Sequence, residues 1–164
     1  MIYVLQVQTG KELDVSAALK REDIRADVPR ERLLIRKNGL WSKMIKLLFP
    51  GYVFTDIDYS AEMFHKIKPV PGVIRFLGEP TPLPEHEADM IRWLSNGSEI
   101  IETSLIRTDS DGNVIGYEGF LAGNEDKIKR INLRQKKVSV EVKFGGKTHR
   151  ANLGIEFPED TRSE

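Results

Sequence analysis

The chain reads LFPGYVF at residues 48–54 and PGVIRFLG at residues 71–78. In both stretches a Pro-Gly pair precedes a short apolar run. Pro-Gly marks a turn because proline presets φ while glycine tolerates positive φ. Since side chains alternate along a strand, Val53 lies on one face, with Tyr52 and Phe54 on the opposite face. A strand that is apolar on both faces must bury both, so the Tyr52 face needs a partner from this chain or from another protein.

The segments around these turns alternate between strand and helix patterns. The T-x-x-E pattern that starts at Thr9 predicts a capping box at the beginning of helix one. Asn38-Gly39 is a two-residue hairpin pattern that ends a strand. The predicted strands are 1–8, 28–37, 51–57 and 73–77, and the predicted helices are 9–21, 60–68 and a third that starts at Pro84. This order, βαββαβ plus a helix, indicates a fold of class α+β with a ferredoxin-like split βαβ domain, whose helices cover one face of an antiparallel sheet.

The composition changes after the third helix. Residues 103–112 are rich in Thr, Ser, Asp and Gly, which predicts a linker at 103–111. Further on, Val138, Val140 and Val142 alternate with polar residues, and Gly145-Gly146 turns the chain back. Short strands without a helix predict a small SH3-like β-barrel at 112–164, following a first domain at 1–102.

The composition excludes several classes of protein. The 164 residues include 25 basic and 25 acidic side chains and no cysteine, so there are no disulfides, thiol nucleophiles or cysteine zinc sites. No apolar run approaches the roughly 20 residues that cross a bilayer, and we expect a cytoplasmic monomer without membrane contact. The common catalytic and phosphate-binding motifs are absent, and His65 and His86 lie near helix ends, where a structural role is expected. We therefore predict no enzyme, cofactor or metal.

Basic residues are concentrated in the second domain. Between Lys127 and Arg150 there are nine Lys or Arg side chains against one acid, Glu141. Such a concentration in a chain of zero net charge favours RNA or DNA, although a solvated hairpin could carry the same charge for solubility. The predicted RNA-binding residues are Lys127, Lys129, Arg130, Arg134, Lys136, Lys137, Lys143, Lys147, His149 and Arg150.

A weaker basic run lies in the first domain, where a loop is predicted. It comprises Arg36, Lys37, Lys43 and Lys46, with Trp41 among them. An aromatic ring among cations could stack a base, but a flexible, solvated loop is the more common explanation of such a run.

The motifs together resemble the NusG family of transcription elongation factors. The similarity rests on YVLQVQTGKE at residues 3–12, FPGYVF at 49–54 and PGVIRFLG at 71–78. In the second domain GFLAG at 119–123 and the Phe-Gly pair at 144–145 resemble turns of the family's KOW domain. The resemblance implies an N-terminal NGN domain at 1–102 and a KOW domain at 112–164.

The resemblance also implies two partners. In the family, the N-terminal domain lays an apolar patch on the clamp helices of the largest subunit of bacterial RNA polymerase, near the DNA in the cleft. The KOW domain recruits Rho or a ribosomal protein in general factors, and structured leader RNA in LoaP antiterminators, which the basic barrel resembles most. The residues that correspond to the polymerase contact, or extend it, are Phe49, Tyr52, Phe54, Ile74 and Phe76.

These observations predict a processive antiterminator that binds polymerase through its first domain and a structured RNA hairpin through its second. Two alternatives stay open. One is a general elongation factor whose barrel binds proteins, and the other is a ribosome-associated RNA-binding KOW protein with no polymerase role.

Overall fold

The structure, a computed structural model, describes residues 1–159. Its helices are α1 (Glu12–Arg21), α2 (Ala61–Ile67) and α3 (Glu85–Ser95), with 3-10 turns at Asn96–Ser98 and Glu125–Lys127. Its strands are β1 (Ile2–Val7), β2 (Arg25–Asp27), β3 (Arg30–Lys37), β4 (Leu40–Leu47), β5 (Tyr52–Asp56), β6 (Val73–Phe76), β7 (Ser104–Thr108), β8 (Val114–Glu118), β9 (Arg130–Asn132), β10 (Lys137–Phe144) and β11 (Lys147–Glu156). This content confirms the α+β class.

The first of two compact units consists of residues 1–29, 47–99 and 142–149. Its sheet has the strand order β2-β5-β1-β6, and each neighbouring pair is antiparallel. This is the order of a split βαβ arrangement, as the sequence predicted. Its second strand, however, is β2, whereas the predicted strand 28–37 falls mostly in β3, which pairs with β4 outside this sheet. Helices α1 and α2 cover one face of the sheet, and their shared core contains Tyr3, Leu5, Val7, Val15, Leu19, Val53, Ile67 and Phe76.

The start of α1 differs from the predicted capping box. The N-cap residue is Lys11, and no side chain caps the helix. Glu12 instead lies in the first turn and is almost fully buried. Its carboxylate accepts hydrogen bonds from the backbone N–H groups of Gly10 and Gly51, at 2.7 and 2.8 Å. The predicted capping box of Thr9 and Glu12 is therefore wrong, because the Glu12 carboxylate binds the Gly51 N–H in the turn before β5.

The second unit consists of residues 30–46, 100–141 and the described residues from 150 onward. It holds the β3–β4 hairpin and most of a five-stranded sheet of order β8-β7-β11-β10-β9. Strand β7 is parallel to β11 and antiparallel to β8. The end of the β10–β11 hairpin, Val142–His149, belongs to the first unit.

Both predicted two-residue hairpin turns are confirmed. Asn38 and Gly39 have φ values of 53° and 76°, and Gly145 and Gly146 have 61° and 74°. Positive φ at both central residues is the geometry of the turn that best matches the twist of paired strands. Asn and Gly adopt this region at little cost, which explains why the sequence showed both turns.

Two segments predicted to be irregular are strands. Ser104–Thr108, within the predicted linker, forms β7, whose Ser104 and Ile106 side chains are buried. Leu40–Leu47, within the predicted loop, forms β4, whose side chains are nearly all exposed. Neither segment has a long alternation of apolar and polar residues. Pairing with neighbouring strands, rather than the local sequence pattern, therefore determines that each forms a strand. The ends of the two domains at 102 and 112 stay a prediction.

Candidate binding surfaces

Strand β5 separates two kinds of apolar side chain. Val53 is fully buried in the core beneath α1 and α2. Tyr52 and Phe54 lie on the opposite face, where Phe54 packs against Phe49 with 5.6 Å between ring centroids. The strand is thus apolar on both faces, as predicted.

Five rings form one cluster on that second face, which we call the ring cluster: Phe49, Tyr52, Phe54, Phe144 and His149. The Phe144 ring meets the first three edge-to-face, with centroid distances of 5.5, 4.9 and 5.5 Å in chain order. The His149 ring lies flat on Phe144 at 3.6 Å. Edge-to-face pairs at these distances add stability beyond the area they bury, so the rings hold one another in place.

The turn before β5 fixes the orientation of these rings. The Glu12 carboxylate accepts a hydrogen bond from the Gly51 N–H. Gly51 has a φ of 89°, a backbone conformation that residues other than glycine rarely adopt. The Phe49 carbonyl also accepts a hydrogen bond from Tyr52 N–H at 3.2 Å. The Pro-Gly turn is therefore fixed from both sides, and with it the direction of Tyr52 and Phe54.

Two of the five predicted polymerase-contact residues do not join the ring cluster. Phe76 is 4% exposed and packs in the helix-side core against the rings of Tyr3 and Phe64. Ile74 is 44% exposed. The cause is a bulge in the β1–β6 pairing, which skips Ile74, so that Val73 and Phe76 both face the core. A shift of one residue moves a side chain to the opposite face of a sheet, and the sequence does not mark the bulge.

Phe144 was not among the residues predicted to form a site, and RNA binding by His149 stays a prediction. Phe144 is the last apolar residue of the alternating β10 series, a pattern typical of barrel core, and His149 was predicted to bind RNA. In the structure both lie in the first unit against Tyr52. Only the position of Phe144 beside a tight hairpin turn hints at a projecting ring.

The surroundings of the His149 imidazole disfavour its charged form. Partial burial lowers its pKa below the usual value, and the charge of Lys147 acts in the same direction. A hydrogen bond from Nε2 to the Phe144 carbonyl, at 3.2 Å, opposes part of this effect.

A cavity of about 780 Å³ adjoins the ring cluster. Val4, Leu77 and Pro82 line it together with the Gly145-Gly146 turn. The Lys143 backbone N–H donates to the Glu87 carboxylate at 2.9 Å. The hairpin end thus has one polar anchor beside its ring contacts.

The structure divides the predicted RNA-binding residues. Lys143, Lys147 and His149 belong to the first unit, and the others belong to the second. Within the second unit, Arg130, Lys137, Arg150 and three amide side chains border one small pocket on the β9-β10-β11 face. Lys129 and Arg134 are exposed outside that pocket, and the Lys127 ammonium binds the Asn124 side chain at 2.8 Å.

The second basic run is largely committed to contacts within its own unit. The Lys136 ammonium lies 4.6 Å from the centroid of the Trp41 ring, a cation–π distance. Lys43 pairs with Glu156 at 3.2 Å. Trp41 is half-covered, whereas Arg36, Lys37, Lys43 and Lys46 are all exposed.

Glu31 on β3 is a buried acid that no sequence pattern indicated. It is 3% exposed, and its Oε2 has no hydrogen-bond partner among residues 1–159. Burial raises the pKa of Glu31 to about 8, although nearby Lys46 and Lys137 and the Gly154 N–H act in the opposite direction. At neutral pH the Glu31 carboxyl is therefore mostly protonated and uncharged.

Comparison with known proteins supports the resemblance that the motifs suggested. Residues 2–92, more than half of the chain, match the family described as transcription termination factor nusG. The chain belongs to the NusG family. It is therefore a transcription termination/antitermination factor at the family level, and not an enzyme, as predicted.

Similar NusG proteins match along most of their length. The transcription termination/antitermination protein NusG of Helicobacter pylori strain J99 is 29% identical over 160 residues, covering 89% of this chain and 90% of the relative. The Campylobacter jejuni NusG is 34% identical over 101 residues, covering 54% and 57%. A solved structure titled "Domain interaction in Thermotoga maritima NusG" has a TM-score of 0.53 at 20% identity, covering 93% of this chain and 92% of that one. At that identity the similarity concerns the fold alone.

Two kinds of feature are absent from residues 1–159. Across positions 1–159 no cluster of His, Asp or Glu could hold a metal ion. No helix in the same range is long and apolar enough to span a membrane.

Proposed function

We propose that this NusG-family chain is a processive antiterminator, which binds bacterial RNA polymerase through the ring-cluster face and structured leader RNA through its second domain. The observation that carries the proposal is the ring cluster itself. Phe49, Tyr52 and Phe54 occupy the family's polymerase-contact motif, and their rings lie together on the side of β5 opposite the core beneath α1 and α2. The RNA half rests on the exposed cations of the second unit. Such a protein would act in the cytoplasm as a monomer.

Polymerase binding requires the hairpin end to leave the ring cluster. Phe54 is 1% exposed and Phe49 4% exposed while Phe144 lies against them. Rings that are this deeply covered cannot contact the clamp helices. We infer that the clamp helices replace Phe144 and His149 on the same face, so that the free energy of the Phe144 contacts reduces the apparent affinity for polymerase.

The experiment compares binding of the full chain and its variants to purified core RNA polymerase by interferometry. Phe144→Ala should bind several-fold more tightly, because truncation weakens the competing contact. Tyr52→Ala should bind more weakly, because Tyr52 is half-exposed and would contact the clamp directly. Leu40→Ala is the matched control, since Leu40 also flanks a two-residue hairpin turn but is 74% exposed, and it should bind as the unaltered chain does. Unchanged binding by Tyr52→Ala would contradict the proposal.

One feature favours the alternative of a general factor whose barrel binds a protein. A pocket of about 610 Å³ between β8 and β9 carries the exposed side chains of Ile115 and Ile131. Apolar side chains beside a pocket suit a protein partner better than a phosphate backbone. Binding of purified Rho or a ribosomal protein to the full chain, lost in Ile115→Asp, would favour this function.

A further inference from the structure

A small pocket of about 250 Å³ lies on the outer face of β9, β10 and β11. Three cationic side chains border it, one from each strand: Arg130, Lys137 and Arg150. No acidic side chain lines it among the residues the structure describes. It is smaller than the pockets of about 300–1,000 Å³ that hold drug-sized ligands, and its charge favours an anion.

The wall of the pocket also offers neutral hydrogen-bonding groups. Asn132, Gln135 and Asn152 line it beside the cations. The Asn132 amide N–H₂ lies 3.4 Å from the Gln135 side-chain oxygen, and Asn132 Oδ1 accepts the Gln135 backbone N–H at 2.9 Å. These bonds fix two of the amides in place. Side-chain amides carry donors and an acceptor together, which suits the edge of a base rather than a simple ion.

Ser139 provides an independent indication of a ligand. It is 5% exposed and lines the pocket, yet its Oγ has no hydrogen-bond partner anywhere in residues 1–159. The backbone at this point is satisfied, since the Ser139 carbonyl accepts the Lys129 N–H at 2.8 Å. A buried hydroxyl without a partner costs stability and is uncommon in native proteins, so a missing ligand explains it.

We propose that this pocket binds one nucleotide of a single-stranded RNA segment. Arg130, Lys137 and Arg150 hold its phosphate, and Ser139 with Asn152 hydrogen-bonds its base or ribose. The inference rests on the proposed function, because the leader RNA supplies the nucleotide. A base inside a duplex does not present its edge in this way, so the nucleotide belongs to a loop or an unpaired end.

The first test measures RNA affinity and stability of the same variant. The full chain is titrated into labelled homopolymers of A, C and U, about 12 nucleotides long, within the range that one small barrel covers. Ser139→Ala should weaken the best of the three about three- to tenfold, since one hydrogen bond to a ligand is lost. Its unfolding temperature should stay equal or rise, because an unpaired hydroxyl is removed.

The second test separates geometry from charge. Arg150→Lys keeps the charge but loses the planar fork that grips a phosphate, so it should weaken binding about fivefold or more. Arg107→Lys is the matched control, since Arg107 is an exposed arginine of the second unit that neither lines the pocket nor belongs to the predicted RNA-binding residues, and it should change affinity less than about twofold. The salt dependence of binding should be the same for both, because it follows the number of charges.

The outcomes distinguish the pocket from the function on which it rests. If the unaltered chain binds none of the three single-stranded RNAs, the pocket is overturned, whereas the proposed binding of a structured RNA hairpin does not depend on these strands. If the chain binds RNA but Ser139→Ala and Arg150→Lys bind equally well, the pocket is overturned and RNA binding by the exposed cations stands.

Discussion

The two units differ in whether their buried groups have partners, as the ring cluster of the first and the buried polar groups of the second show. In the first unit each ring has ring neighbours, and the buried Ser16 hydroxyl donates to the Ala26 carbonyl at 2.8 Å. In the second unit Glu31, Tyr117 and Ser139 each bury a polar atom that has no partner within residues 1–159. Unmatched polar atoms are few in native proteins and mark sites with another purpose. The first unit is therefore built for packing, and the second retains polar groups that packing alone does not explain.

The largest expected effect is a loss of stability when a ring of the ring cluster is removed. Phe54→Ala should lower the free energy of unfolding by about 3–5 kcal/mol, because it removes a fully buried ring and leaves a cavity among its neighbours. Urea denaturation of the full chain measures this. The exposed Leu40 provides the control, since Leu40→Ala should change stability by less than about 0.5 kcal/mol. A loss of less than about 1 kcal/mol for Phe54→Ala would mean that the rings do not pack as described.

A second prediction concerns the unmatched carboxyl of Glu31. Its pKa rises from 4.5 in the unfolded chain to about 8, so between these values the folded state binds the extra proton. Stability is therefore highest below the unfolded value and falls as the pH rises to about 8. Glu31→Gln should flatten this decline and raise stability at the alkaline end by a few kcal/mol, since each pKa unit corresponds to about 1.4 kcal/mol.

Urea midpoints measured across that pH range test this prediction. Glu22→Gln, at an exposed position beyond α1, is the matched control and should leave the pH dependence unchanged. A variant at Glu31 with the same pH slope as the unaltered chain would show that the buried carboxyl is charged and paired.

The smallest expected effect is on stability, and it compares one buried serine from each unit. Ser16 and Ser139 are each 5% exposed, but only Ser16 has a hydrogen-bond partner for its hydroxyl. Ser16→Ala should lower stability by about 1 kcal/mol, less a few tenths for the better helix propensity of alanine. Ser139→Ala should change it by less than about 0.5 kcal/mol or raise it. Equal losses in the two variants would mean that the Ser139 hydroxyl is satisfied in solution.

Sequence patterns predicted the parts of this molecule that local chemistry determines. The Pro-Gly turn before β5 and the Asn38-Gly39 and Gly145-Gly146 turns follow from φ preferences of single residues. The apolar face with Tyr52 and Phe54 follows from side-chain alternation. These features depend on neighbours in sequence, so the sequence was sufficient.

The features that were missed depend on contacts between distant residues. The bulge at Ile74 moves Phe76 to the core through its pairing with β1, and β7 exists because β8 and β11 flank it. Phe144 joins the ring cluster from a hairpin whose alternation is typical of barrel core. The burial of Glu31 has no local cause either, since its neighbours Arg30 and Arg32 are charged.

The membership of the two units also bears on how the protein is made. Each unit includes segments from late in the chain, with 142–149 in the first and residues from 150 onward in the second. A ribosome extends a chain from its N-terminus at about 5–20 residues per second, and distant contacts form only after both partners have emerged. Until Phe144 emerges, the aromatic strand of a nascent chain has no cover. The face that carries Phe49, Tyr52 and Phe54 is therefore exposed on a nascent chain and becomes covered once residues 142–149 fold onto it.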